Sequence, residues 1–291
     1  MTFPRHALLP VLALFGVALS LGAGHVCSRI AFTNGVNVLT AATVRSVLAA
    51  ALLYSMLRWR RTPVRPLPPA FKWTTLLGLL IVVQTAAIQT SVALLPVTIA
   101  LLVFYAYPFL TGVAAAALGD ERFTLRLAVS LAAAFGGLAL VLGVGAWTVS
   151  LAGVAAGLTA AAAFAAALVL TPRLAPGMNA PLRTFFMLST AAAVFLAAAV
   201  ATQQFRLPMG GLAWFGLIGL ALFYAIGITG LFLLLPLLGP VQTAVVLNLE
   251  PVIVALLAWA ALGEALAPLQ VVGAVIVVGT VMLFQVAGRR R

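Results

Sequence analysis

The sequence predicts an all-α polytopic membrane protein: ten transmembrane helices in two inverted five-helix repeats, with N- and C-termini inside. Three observations lead there. First, 65% of the 291 residues are hydrophobic and only 7% are charged, a composition that belongs to bilayer-spanning chains rather than soluble domains. Second, the apolar stretches run on for about 20 residues each without the alternation of a transmembrane strand. Helices satisfy their own backbone hydrogen bonds in lipid, so this pattern is read as helical. Third, landmarks recur at one common offset: Pro108 is matched by Pro251, Glu121 by Glu264, and Gly136 by Gly279.

In chain order the spans are expected at 8–27, 38–57, 71–92, 97–118, 125–143, 148–170, 182–201, 212–234, 241–262 and 268–287. Breakers mark the connectors. Pro63, Pro66, Pro68 and Pro69 precede the third span, Pro172, Pro176 and Gly177 the seventh, and Pro208 and Gly210 the eighth. The run after Arg5, ending in Gly22-Ala23-Gly24, has the look of a signal peptide, but the repeat needs it as its first span. The expected domains are residues 1–145 and 146–291, one five-helix repeat each.

Basic residues fix the orientation. With the N-terminus inside, thirteen fall on the inner face: Arg5, Arg58, Arg60, Arg61, Arg65, Lys72, Arg122, Arg126, Arg173, Arg183 and Arg289 to Arg291. Only Arg29 and Arg206 fall outside, and Arg45 lies within a span. This asymmetry is the positive-inside signature of a bacterial inner membrane, and it accounts for the net charge of +12 without a nucleic-acid partner. Trp59 and Trp73 near the inner interface, and Trp147, Trp214 and Trp259 near the outer one, fit an aromatic belt. A single cysteine, Cys27, excludes an intrachain disulfide and any multi-cysteine metal site.

Five spans per repeat is an odd number, so the second half inserts upside down relative to the first, as in many secondary transporters that hold a solute near the midplane. Alanine runs at 114–117, 160–163 and 191–193 allow close helix contact. Pro108 and Pro251 each fall halfway along a span, where proline removes a backbone hydrogen bond and kinks the helix. Such a defect faces protein or a water-filled cavity rather than lipid. Pro96 and Pro240 fall at helix starts, where proline is tolerated.

Glu250 is the acidic residue deep in a span and Arg45 the basic one. A charge at that depth costs at least about 3 kcal/mol, so each is expected to face the protein interior, a partner or water. Glu250 is read as a proton-sensitive switch, a contact for a substrate amine, or a helix fastener; Arg45 as a structural anchor or a carboxylate contact. Tyr105, Tyr107, Gln84, Gln89, Tyr224, Asn248 and His25 complete the candidate cavity. Tyr105 and Tyr107, two apart, point opposite ways on a regular helix, so one of them is expected to be a packing residue. Phe164 and Phe186 are read as wall or packing residues. Paired intramembrane Asp, a His cluster and a Gly-rich phosphate loop are all missing from the sequence, so catalytic residues, a metal site and a cofactor are not expected. Asp120, Glu121 and Glu264 mark span ends.

These residues resemble the ten-helix, EamA-type group of the drug/metabolite transporter superfamily. The resemblance rests on Ala41-Ala42-Thr43-Val44-Arg45, on Leu247-Asn248-Leu249-Glu250-Pro251, and on the repeat ends Leu118-Gly119-Asp120-Glu121 and Leu262-Gly263-Glu264. It covers almost the whole chain, although Leu21-Gly22 stands where the family usually has Trp-Gly. It implies a basket of ten helices around a central cavity and outward transport of small metabolites. Tyr105-x-Tyr107-Pro108 is further similar to the aromatic-Pro run of YddG-type amino-acid exporters. The expected function is therefore export of small neutral metabolites, amino acids including aromatic ones foremost, with a multidrug exporter as alternative and a channel or membrane-embedded enzyme as the other classes. The expected partners are the lipid bilayer and the solute; one midplane carboxylate, Glu250, permits coupling to protons, and a facilitator without coupling fits equally well. A chain with internal symmetry is expected to work as a monomer.

Overall fold

A computed structural model describes residues 5–64, 68–95, 97–119, 124–142, 150–262 and 267–288. Of the residues named above, Arg65, Pro66, Pro96, Asp120, Glu121, Arg122, Trp147, Gly263, Glu264 and Arg289 to Arg291 lie outside that set. Twelve helices and no strand occur among the described residues: α1 Arg5–Thr33, α2 Val38–Trp59, α3 Pro68–Leu94, α4 Val97–Phe104, α5 Tyr107–Ala117, α6 Leu125–Val141, α7 Leu151–Leu174, α8 Ala180–Ala201, α9 Gly211–Leu238, α10 Pro240–Leu247, α11 Glu250–Leu262 and α12 Pro268–Gly288. Because α4 with α5, and α10 with α11, are two pieces of one span each, twelve helices make ten spans. Eight stretches are long and apolar enough to cross a bilayer, and Leu127–Val141 and Pro268–Leu283 are shorter apolar helices.

The two central spans are broken rather than bent. Tyr105 and Ala106 form a turn between α4 and α5, and Asn248 and Leu249 a turn between α10 and α11. Each proline falls at the second position of the new helix, where a missing N–H costs nothing because the first turn has no intrahelical acceptor for it. The expected kinks at Pro108 and Pro251 are thus helix starts. The hydrogen bonds repeat as well: Ala106 N donates to Val103 O and Leu110 N to Ala106 O, while Leu249 N donates to Val246 O and Ile253 N to Leu249 O. Donors, acceptors and the bounds of both breaks all keep the offset that separates Pro108 from Pro251.

A second correction concerns α7. Pro172, expected in a connector, lies inside that helix, which runs on to Leu174.

The chain divides into two compact units, each drawing helices from both the 1–145 and the 146–291 stretches. Unit 1 comprises Met1–Val82 and Leu170–Leu237; unit 2 comprises Val83–Val169 and Leu238–Arg291. In unit 1, α2 packs along α8 and α1 against α9. Glycines make the second contact possible. A Cβ on Gly216 would meet Ala31 N at 2.5 Å, and one on Gly227 would meet Leu21 Cδ2 at 2.6 Å. Lipid supplies no hydrophobic drive between helices, so backbone approach over small residues takes its place. Ser20 Oγ adds a bond to Phe223 O at 2.9 Å. The loop after α8 is fastened to the start of α2: Asn37 caps α2 through Thr40 N at 2.7 Å and donates to Gln204 O.

In unit 2, α6 packs along α12 and α5 against α10. Ser91 Oγ donates to Gly153 O at 2.8 Å, joining α3 to α7, and Gln270 Nε2 donates to Val141 O at 3.0 Å, joining α12 to the end of α6.

Candidate functional site

The two breaks bring polar side chains together within unit 2. Tyr105 and Asn248 both occupy turn positions, and both are buried. They line a cavity of about 240 Å³ with Ala106, Pro108, Phe109, Leu131, Ala132 and Phe135. Its polar groups come from the turns and its walls from α5 and α6. Pro108 lies midway along the Ile99–Ala117 span, and Leu131 to Phe135 lie at the middle of α6. The cavity is therefore at mid-span depth, where an apolar wall with few polar groups suits a solute that has left water.

Beside it stands an aromatic cluster. The Tyr107 ring lies 4.9 Å from Phe164 and 5.3 Å from Phe104, and 5.9 Å separates it from Tyr105. The last distance corrects the expectation that the two tyrosines point apart. That expectation assumed a continuous helix, and the turn at Tyr105 and Ala106 changes the direction of the backbone between them. Phe164 joins this cluster, and Phe186 makes an edge contact with Phe71 at 5.7 Å in unit 1. Glu250, the first residue of α11, is buried and within electrostatic reach of both phenols.

The other candidates are placed elsewhere. Gln84 and Gln89 are half-buried on α3; Gln84 Oε1 accepts from Thr85 Oγ1 at 3.2 Å, and neither lines the cavity. Arg45 and Tyr224 meet within unit 1, with the guanidinium carbon 4.4 Å from the ring centroid. A cation over an aromatic face is attracted by the ring quadrupole, by about 2 kcal/mol when water is excluded. This joins α2 to α9. His25 is exposed on α1.

Sequence reasoning missed the walls contributed by Phe109 and α6. One signal was available, since Phe135 is the single aromatic residue of α6. It also missed Arg183. Counted as an inner-face loop cation, Arg183 belongs to the first turns of α8 and is only 2% exposed. Among the described residues, no group of His, Cys, Asp and Glu could hold a metal ion.

Two five-span repeats, each with a span broken midway, define a polytopic helical membrane protein. The chain belongs to the EamA-like transporter family, whose model matches residues 8–143 and 151–285. No curated relative matches it by sequence. A protein of known crystal structure superposes with a TM-score of 0.82 over 97% of this chain and 98% of its own, at 18% identity, which speaks for the fold alone.

Proposed function

We propose that this transporter exports small neutral metabolites across the bacterial inner membrane, amino acids including aromatic ones being the first candidates. The reading is of alternating access by two inverted halves, 1–145 and 146–291, with both termini inside and the chain acting as a monomer. The cavity at the helix breaks carries the proposal. Its volume of about 240 Å³ exceeds the roughly 150 Å³ that admits benzene in an engineered protein cavity, so an aromatic side chain fits. Asn248 and Tyr105 offer donors and acceptors to a polar head group. Phe109, Leu131 and Phe135 offer it apolar walls, and Glu250, within electrostatic reach of Tyr105, is the candidate contact for an amine.

The test is counterflow in proteoliposomes loaded with a mixture of neutral amino acids. Saturable uptake stimulated by internal unlabelled solute is expected; flux without saturation would mean a channel. The predominantly apolar walls favour a second reading, a multidrug exporter. Growth under toxic amino-acid analogues compared with growth under lipophilic cations separates the two.

Glu250 is the proposed coupling residue. With Glu250→Gln, export is expected to lose its pH dependence while counterflow continues, because exchange needs no net proton movement. Unchanged pH dependence in the variant would remove Glu250 from that role.

A further inference from the structure

All four acidic residues, Asp120, Glu121, Glu250 and Glu264, belong to the stretches of unit 2, so unit 1 has no carboxylate in its sequence. A cation buried in unit 1 has only carbonyls, hydroxyls and ring faces of its own unit to meet. Arg183 is such a cation. Its Nη1 donates to Ala175 O at 3.4 Å and its Nη2 to Phe232 O at 3.5 Å. Its Nε is buried without a hydrogen-bond partner among the described residues. Burying a guanidinium on two long bonds is costly, and the two acceptors show what offsets the cost.

Phe232 lies four residues before Pro236, which sits inside α9. In a regular helix the N–H of residue 236 would donate to Phe232 O, but proline has none. In lipid that carbonyl needs another donor. Ala175 follows the last residue of α7, so its carbonyl belongs to the helix end that lacks intrahelical donors, and it receives one bond from Met178 N at 3.3 Å. A forked guanidinium reaches two acceptors on different helices at once, which a lysine ammonium on a single stem does poorly.

We propose that Arg183 is a proline clamp: it supplies the hydrogen bond that Pro236 denies to Phe232 and ties this turn of α9 to the end of α7. The Phe232 carbonyl is satisfied by a side chain on α8 rather than by α9 itself, so the contact can be released without breaking a helical hydrogen bond. Two residues after Pro236, α9 ends at Leu238, and Gly239 adopts a positive φ of 78°. The clamp thus acts close to where α9 ends and the chain turns into α10. It is independent of the solute carried.

Amide hydrogen exchange of the purified full-length chain in detergent tests it, with peptides covering residues 228–238 as the readout. Arg183→Met keeps the aliphatic bulk and removes the donors. It is expected to raise exchange in that segment at least about tenfold, as local opening is eased, while peptides of α12 keep their rates. Pro236→Ala returns an N–H to Phe232, so Arg183→Met combined with Pro236→Ala is expected to exchange within about threefold of Pro236→Ala alone, the non-additivity of residues sharing one acceptor. Equal increases with and without Pro236, or no increase in either case, would overturn the clamp. If Arg183→Met cannot be purified, recovery of folded protein by adding Pro236→Ala is the same rescue. Failure of that double variant beside a folded Pro236→Ala chain overturns it too.

Discussion

Replacing Asn248 by leucine is expected to cut solute flux about tenfold while leaving the fold intact. Leucine keeps the branched skeleton of the asparagine side chain, and at the end of α10 it is the backbone N–H of Asn248 that bonds to Val245 O, a bond leucine keeps. What leucine removes is an amide with two donors and an acceptor, in a cavity whose other polar lining residue is Tyr105. Each hydrogen bond to a neutral group contributes about 1 kcal/mol, and a solute group left unsatisfied in the cavity adds about 1–3 kcal/mol. A tenfold loss corresponds to about 1.4 kcal/mol, well inside that range. The measurement is initial counterflow in proteoliposomes at matched protein density, with the thermal midpoint in detergent as control. Undiminished flux from a normally folded Asn248→Leu chain would remove the cavity from the transport path.

Gly273→Ala is expected to lower the thermal midpoint on the order of 5 °C, from an overpacking cost of about 1–3 kcal/mol. The new Cβ would strike Gly137 O on α6 and come within 2.6 Å of Val141 N and 2.7 Å of Leu140 Cβ. Two of these are backbone atoms of the facing helix, which cannot rotate away. Gly279, on the same helix, has nothing within 4 Å of a built Cβ, so Gly279→Ala is expected to hold or slightly raise the midpoint through alanine's better helix propensity. Equal effects at the two positions would mean that α6 and α12 do not meet over Gly273 in the membrane.

This contrast shows how far the sequence could be read. Gly136 and Gly279 served as repeat landmarks, yet both have open space around them; the glycines that α6 and α12 share are Gly137 and Gly273. A repeat offset reports common origin of two segments. It carries no information on which face of either helix is covered. In a soluble protein the polar face would reveal that, but helices apolar all round offer no such contrast, because lipid tails are as apolar as the core.

The two tyrosines make the same point at the site. Their spacing was visible, but whether they diverge depends on the backbone between them, and a turn replaced the helix there. The proline motif located the break to within a turn of its actual position; the meeting of Tyr105 with Asn248 required α5 to pack on α10.

By itself the sequence determined what is local: the number and approximate positions of the spans, the paired interruptions at Pro108 and Pro251, and the common offset that the hydrogen bonds of the two breaks repeat. Length, hydropathy and proline chemistry act within one segment and need no partner. Only the tertiary structure decided which glycines touch, which walls line the cavity, and that Arg183 is buried against carbonyls of α9 and the end of α7. Those outcomes depend on complementary surfaces far apart in the chain. In bilayer helices these surfaces are specified by shape and by single unpaired backbone groups, which polarity along the sequence does not mark.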